Sequence, residues 1–71
     1  MKDYLAIIEP ADDGTWSAYA PDLPGCTSYG ATREEAARNV HDAIRGHIDA
    51  LRETGQSVPE PSSVAEIVHV A

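Results

Sequence analysis

Cys26 is the only thiol of the chain and the first candidate for chemistry. A reactive thiolate needs a cationic neighbourhood or a helix N-terminus that lowers its pKa. Cys26 instead follows Pro24 and Gly25 and precedes Thr27 and Ser28, which supply no charge. We therefore interpret Cys26 as a packed structural residue, because free cysteine is among the most buried residue types.

The three histidines do not form a metal-binding pattern. His41 and His47 are six residues apart, so on a helix they point about 120° away from each other. A helical metal pair needs the i,i+4 spacing instead. A zinc site built from Cys26, His47 and His69 has no supporting ligand spacing. We expect no metal and no cofactor.

The carboxylates also lack a catalytic arrangement. Asp12, Asp13 and Asp22 occur in turn sequences, where aspartate is favoured for backbone reasons. Glu34 and Glu35 open a helix. The chain has no Gly-rich phosphate loop and no Ser/His/Asp order, so we expect a protein that is not an enzyme.

Charge narrows the possible partners. The chain has 71 residues and a net charge of −7, from 12 acidic side chains against 5 Lys and Arg. Acidic surface repels phosphate, so this chain is not expected to bind nucleic acid directly, and a basic protein is the better partner. A lone thiol fits the cytoplasm, and no apolar run reaches the roughly 20 residues of a membrane span.

The elements that position these residues can be read from periodicity. Strands are predicted at 4–10, 15–20 and 26–30, with Asp13-Gly14 as a hairpin turn. A helix is predicted over 33–54 from a single apolar stripe and a capping box, in which the Thr32 hydroxyl caps the first turn and Glu35 reaches back to the Thr32 amide.

A fourth strand is predicted at 64–70, after a proline-containing return segment. The fold class is therefore α+β, in the order β-β-β-α-β. Because 4–10 is apolar on both faces, we place it centrally in a mixed sheet of strand order 3-2-1-4, with the helix on one face. One helix leaves apolar positions uncovered, so we expect a homo-oligomer, at least a dimer.

The stretch "PDLPGCTSYGATREEA" closely resembles the signature of HicB-like antitoxins, and the resemblance extends over residues 4–63. It implies a partial RNase H-like fold without nuclease activity and a bacterial antitoxin role, in which the domain binds a small basic HicA-type toxin that cleaves mRNA. Many members add a C-terminal DNA-binding domain. This sequence stops at Ala71, so we expect a single HicB-like domain over 1–71.

Two sets of residues follow from these interpretations. Acidic residues near the loops and the helix start are the predicted partner-binding set: Asp12, Asp13, Asp22, Glu34 and Glu35. The motif residues are predicted to specify the fold rather than to do chemistry: Pro21, Asp22, Leu23, Pro24, Gly25, Cys26, Gly30, Thr32, Glu35 and Ala36. The alternative function is a stand-alone oligomeric domain, a scaffold or small-ligand binder without a toxin partner.

Overall fold

The computed structural model describes residues 2–71, so Met1 of the predicted domain lies outside the described residues. Within residues 2–71, three strands and one helix follow each other: β1 (Ile7–Pro10), β2 (Trp16–Tyr19), β3 (Thr27–Gly30) and α1 (Arg33–Glu53). The strands form one antiparallel sheet in the order β1-β2-β3. The predicted α+β class is confirmed.

The first hairpin forms because its turn is chemically specified. The Ala11 amide donates to the Thr15 carbonyl at 2.8 Å, and the Asp13 carboxylate accepts hydrogen bonds from both the amide and the hydroxyl of Thr15. Asparagine and aspartate side chains stabilise turns in this way. The register pairs Ile8 with Ala18 and thereby places both on the face that the helix covers.

α1 is amphipathic and covers one face of the sheet. Its buried residues Ala36 and Val40 pack with Ala18 of β2, and Trp16 and Ile8 complete this cluster from the side. The helix ends at Glu53, where the amide of the following Gly55 donates to Arg52 and that of Gln56 to Leu51, a Schellman arrangement of hydrogen bonds. The predicted helix is confirmed to within one residue.

Gly30, the last residue of β3, is where sheet and helix approach most closely. A Cβ atom at this position would lie 2.5 Å from the Ala36 amide nitrogen and 2.9 Å from two Glu35 atoms. Glycine alone therefore allows the first turn of α1 to lie against β3.

The predicted fourth strand is wrong. Residues 64–70 have no strand partner within the described part of the chain, and the sheet has three antiparallel strands instead of four mixed ones. β1 is accordingly an edge strand and not a central one. The apolar pattern of residues 64–70 indicates an extended chain. A β-strand also needs a neighbouring strand that supplies hydrogen bonds, and the apolar pattern does not specify that neighbour.

The return segment explains where the chain goes instead. The Tyr4 hydroxyl donates to the Pro59 carbonyl, and Asp22 accepts hydrogen bonds from Ser62 and Ser63. The chain therefore crosses the end of the sheet at which β1 begins, and then leaves it.

Candidate partner-binding site

The loop from Ala20 to Cys26 is closed by its own backbone. The Ala20 amide donates to the Cys26 carbonyl at 3.1 Å, and the Cys26 amide donates to Leu23 at 3.0 Å. Gly25 has φ +83°, a left-handed conformation that side chains disfavour. Pro21 and Pro24 stand on the exposed outside of this loop.

Leu23 is the anchor of this loop and is fully buried. It packs with Ala20 and Cys26 against Ile44 and Ile48 of the helix. Burial raises the pKa of the Cys26 thiol, which disfavours the thiolate that chemistry would need. These contacts agree with a structural interpretation of the loop, although its fold-specifying role stays a prediction.

The helix start has a capping box with one change from the prediction. The Thr32 hydroxyl accepts from the Glu35 amide at 3.1 Å, as predicted. The Glu35 carboxylate accepts from the Ala31 amide at 2.9 Å and not from that of Thr32. The box therefore reaches one residue further back, into the turn that links β3 to α1.

The five predicted acidic residues fall into two groups. Asp12 and Asp13 lie in the turn after β1, and Glu34 and Glu35 follow β3; antiparallel pairing brings these two connections to the same end of the sheet. β1 and β3 flank β2, so about 10 Å separates their ends. We call these four residues the acidic end. Asp22 lies at the opposite end of the sheet and does not join them.

Within the acidic end, the side chains differ in how free they are. The two hydrogen bonds from Thr15, at 3.0 and 2.6 Å, lower the pKa of Asp13 and keep its carboxylate charged. Asp12 and Glu34 are exposed and have no hydrogen-bond partner within residues 2–71. The acidic end can therefore offer charge to a partner without first breaking internal bonds at these two residues.

Asp22, which the sequence placed in both the partner-binding and the fold-specifying sets, makes hydrogen bonds to a distant segment of the chain. Its carboxylate accepts the amides of Ser62 and Ser63, each at 2.9 Å, and both of their hydroxyls, at 3.2 and 2.7 Å. These bonds, led by the Ser63 amide, lower the pKa of Asp22 to about 2. Asp22 is a clamp on the return segment, a contact across 40 residues that no local sequence signal announces.

Sequence reasoning also missed a groove at the β1 side of the helix. Its walls are the residues that precede β1 and the second half of α1. Its lining combines apolar and charged side chains: Lys2, Asp3, Tyr4, His41, Ile44, Arg45, Ile48, Asp49, Arg52 and Val58. Among the described residues, no group of three or more His, Cys, Asp or Glu side chains could hold a metal ion, and no helix is long and apolar enough to cross a membrane.

The sequence of this chain is similar to those of known proteins. Residues 4–70 match the family model described as the HicB-like antitoxin of the bacterial toxin-antitoxin system. The chain belongs to the HicB-like antitoxin family. The UPF0150 protein Ta0767 of Thermoplasma acidophilum is 35% identical over 66 residues, which cover 93% of this chain and 96% of that protein.

Two solved structures extend the family likeness to three dimensions. The N-terminal domain of the Burkholderia pseudomallei antitoxin HicB superposes with a TM-score of 0.74 at 32% identity, covering 83% of this chain and 69% of that one. A chain of the HicA3 and HicB3 toxin-antitoxin complex superposes with a TM-score of 0.71 at 31% identity, covering 86% and 70%. The resemblance inferred from the motif is confirmed.

Proposed function

We propose that this chain is an antitoxin that neutralises a HicA-type, mRNA-cleaving toxin by binding to it and occluding its surface. The observation that carries the proposal is the likeness of 86% of this chain to a chain of a HicA–HicB toxin-antitoxin complex. Membership of an antitoxin family supports the same conclusion and supports a protein that acts by binding rather than by catalysis.

Electrostatics supply the means of recognition. A protein that cleaves RNA must carry basic surface, because phosphate contacts dominate affinity for nucleic acid. The acidic end displays Asp12 and Glu34 on a chain of net charge −7, and such a surface can compete with RNA for the same cationic side chains. Charges that are exposed act mainly on the association rate and are screened by salt.

The remaining features of the proposal follow from this mechanism. The chain works in the cytoplasm as a single domain, where its toxin meets mRNA. It requires no cofactor, and it does not itself bind nucleic acid. Inhibition is therefore insensitive to removal of divalent metal ions.

The experiment is co-purification of this chain with a HicA-type toxin from the same genome, followed by an RNA cleavage assay. We expect a stable complex and loss of RNA cleavage at equimolar antitoxin, unchanged by EDTA. Surface plasmon resonance across a salt series should show an association rate that falls as salt rises, with little change in dissociation. Active toxin in the presence of bound or excess antitoxin would contradict the proposal.

A matched pair of charge reversals locates the surface. Glu34→Lys changes the acidic end, and Glu53→Lys makes the same change at the opposite end of α1, where the side chain is also exposed. Glu34→Lys should slow association several-fold while Glu53→Lys leaves it nearly unchanged. Equal effects of the two variants would remove the acidic end from the interface while leaving the antitoxin role intact.

The alternative is a stand-alone oligomeric domain that has no toxin partner. The aliphatic exposure of residues 64–70 favours it, because such a surface calls for another protein chain. The co-purification separates the two, since an oligomeric scaffold would not suppress toxin activity.

A further inference from the structure

One row of side chains on the face of the sheet away from α1 is open to solvent. Side chains alternate between the two faces of a strand, and α1 covers the face that carries Ile8 and Ala18. The register aligns Glu9, Ser17 and Tyr29 across β1, β2 and β3 on the opposite face. All three residues are exposed, and the Tyr29 side chain, at 75%, is the most exposed aromatic residue of the chain.

This row forms a shallow slot whose two walls differ in chemistry. Because neighbouring strands lie about 4.8 Å apart, the Cα atoms of Glu9 and Tyr29 are separated by about 10 Å, and the short Ser17 side chain between them forms the floor. One wall is a carboxylate and the other is an aromatic ring. We call Glu9, Ser17 and Tyr29 the Tyr29 slot.

Both walls of the slot are available to a partner. Among residues 2–71, neither the Glu9 carboxylate nor the Tyr29 hydroxyl has a hydrogen-bond or ion-pair partner. The backbone beneath them is held in place, since Asn39 donates to the Tyr29 carbonyl at 2.8 Å and Ala11, two residues after Glu9, is bonded to Thr15 in the hairpin turn. A partner therefore meets both side chains on an ordered frame, which lowers the entropy cost of binding.

The slot adjoins the acidic end of the sheet. Glu9 and Tyr29 each lie one residue before the end of their strand, and these strand ends lead into the connections that carry Asp12 and Glu34. An isolated exposed tyrosine needs no functional explanation, because aromatic residues favour strands. Here the ring faces a carboxylate and continues into further acidic side chains, and all of these groups attract cations.

We propose that the Tyr29 slot receives one arginine side chain of the basic toxin, with the guanidinium stacked on the Tyr29 ring and ion-paired to the Glu9 carboxylate. The inference deepens the proposed function and rests on it, because the toxin is the source of the arginine. The two surfaces then divide the work of binding. The exposed charges of the acidic end accelerate association, whereas the slot, once water is excluded from it, slows dissociation.

Arginine fits the slot better than lysine for a geometrical reason. The guanidinium is planar, stacks on aromatic rings and donates two parallel hydrogen bonds to a carboxylate, whereas the lysine ammonium is a strongly hydrated point charge. Cation–π attraction acts within about 6 Å of the ring centroid and strengthens when the pair is desolvated. In the neighbouring row of the same face, Ile7 is half-buried and Tyr19 is 40% exposed, and both offer apolar contact to the methylene stem of arginine.

The first experiment measures binding of the full chain to the co-purified HicA-type toxin by surface plasmon resonance. Tyr29→Thr removes the ring but keeps a residue that favours strands, and Glu9→Gln removes the charge but keeps the shape. Each variant should raise Kd about tenfold, mainly through faster dissociation. The double variant should raise Kd far less than the product of the two single effects, because both walls hold the same arginine. Tyr29→Phe, which keeps the ring, and Glu53→Gln, at an exposed glutamate at the opposite end of α1, should leave Kd within about twofold.

Helix content measured by circular dichroism should match the parent chain in every variant, because all of the changed residues are exposed. Parent-like Kd values for Tyr29→Thr and Glu9→Gln, fully multiplicative losses in the double variant, or equal losses in Tyr29→Phe and Tyr29→Thr would each overturn the slot. Inhibition of RNA cleavage by the parent chain would in those cases leave the antitoxin role intact.

A second experiment needs no toxin. The isolated, isotope-labelled chain is titrated with a short arginine homopeptide, and a lysine homopeptide of the same length is the matched control. The arginine peptide should shift the Tyr29 ring resonances and the amides of Glu9 and Ser17, the lysine peptide should shift them several-fold less, and Tyr29→Thr should abolish the difference. Equal shifts from both peptides, or shifts confined to the acidic end, would overturn the slot. An arginine-specific response in a chain that does not bind the toxin would instead overturn the proposed function, and with it the toxin as the source of the arginine.

Discussion

The two edge strands of this small sheet, β1 and β3, differ in what lies beside them. At β3 the helix follows within three residues, lies against Gly30 and sends Asn39 to the outer carbonyl of Tyr29. At β1 the helix is further away, and a groove lined by Tyr4 and Ile44 remains open. The helix that follows β3 in sequence supplies a hydrogen bond to the outer edge of β3, whereas no segment within residues 2–71 pairs with the outer edge of β1.

The difference extends to how the polar groups are used. On the β3 side, the Thr32 hydroxyl and the Glu35 carboxylate accept short-range hydrogen bonds from backbone amides and complete the helix start. On the β1 side, the contacts of Tyr4 with Pro59 and of Lys2 with Glu60 span 55 and 58 residues. We therefore expect substitutions on the β3 side to disturb the fold more than substitutions on the β1 side.

The largest expected effect is at Gly30. Gly30→Ala puts a methyl group 2.5 Å from the Ala36 amide, and backbone must move to relieve it, so unfolding free energy should fall by about 1–3 kcal/mol. Gly46→Ala is the matched control, because a Cβ there meets nothing within 4 Å and alanine favours the helix by about 0.5–1 kcal/mol. Urea denaturation of both variants measures the contrast. Equal stabilities would show that helix and β3 are not in close contact.

A smaller effect is expected at the cover of the β3 edge. Asn39→Ala removes the hydrogen bond to the Tyr29 carbonyl, and for an exposed bond the loss should be about 0.5 kcal/mol. The freed edge should also pair with other molecules, so sedimentation should reveal concentration-dependent species larger than those of the parent chain. Arg38→Ala, at the exposed neighbouring position, should leave both properties unchanged. Identical behaviour of the two variants would mean that Asn39 does not protect the edge.

The smallest effect at neutral pH concerns the clamp at the other end of the sheet. Four hydrogen bonds from Ser62 and Ser63 depress the pKa of Asp22 to about 2, from an ordinary value of 3.8. The clamp therefore contributes its full stability above pH 3.8 and loses it as pH falls through about 2. NMR shifts of the Ser62 and Ser63 amides should titrate together with a midpoint near pH 2.

Asp22→Asn provides the control for this titration. An amide keeps the shape of the side chain but does not ionise, so the acid titration of the two serine amides should disappear. A midpoint near pH 4 in the parent chain would show that the clamp is not formed in solution.

The helix and the first hairpin could be predicted because their signals are local. Thr32 and Glu35 announce the helix start within four residues, and Asp13-Gly14 announces the turn. The sheet was predicted less well, since pairing is a relation between distant segments. Residues 64–70 carry a strand pattern, yet their own domain offers them no hydrogen-bonding partner within the part that the structure describes.

The candidate site shows the same division. The sequence predicted that Cys26 is a packed residue, and its thiol is buried; its purely structural role stays a prediction. It grouped five acidic residues by their position in turns, and only antiparallel pairing separated Asp22 from the acidic end. The hydrogen bonds from Ser62 and Ser63 to Asp22 depend on the path of the return segment. Its two prolines favour an extended backbone but do not determine its direction.

By itself the sequence determined the α+β class, the helix, the hairpin turn and the family, because each rests on the chemistry of a few neighbouring residues. The tertiary structure alone decided which edge of the sheet is covered, which carboxylates lie together, and that 64–70 stands apart from its own sheet. Periodicity specifies which side chains must be buried but not against which surface. Only the path of the chain through space selects that surface.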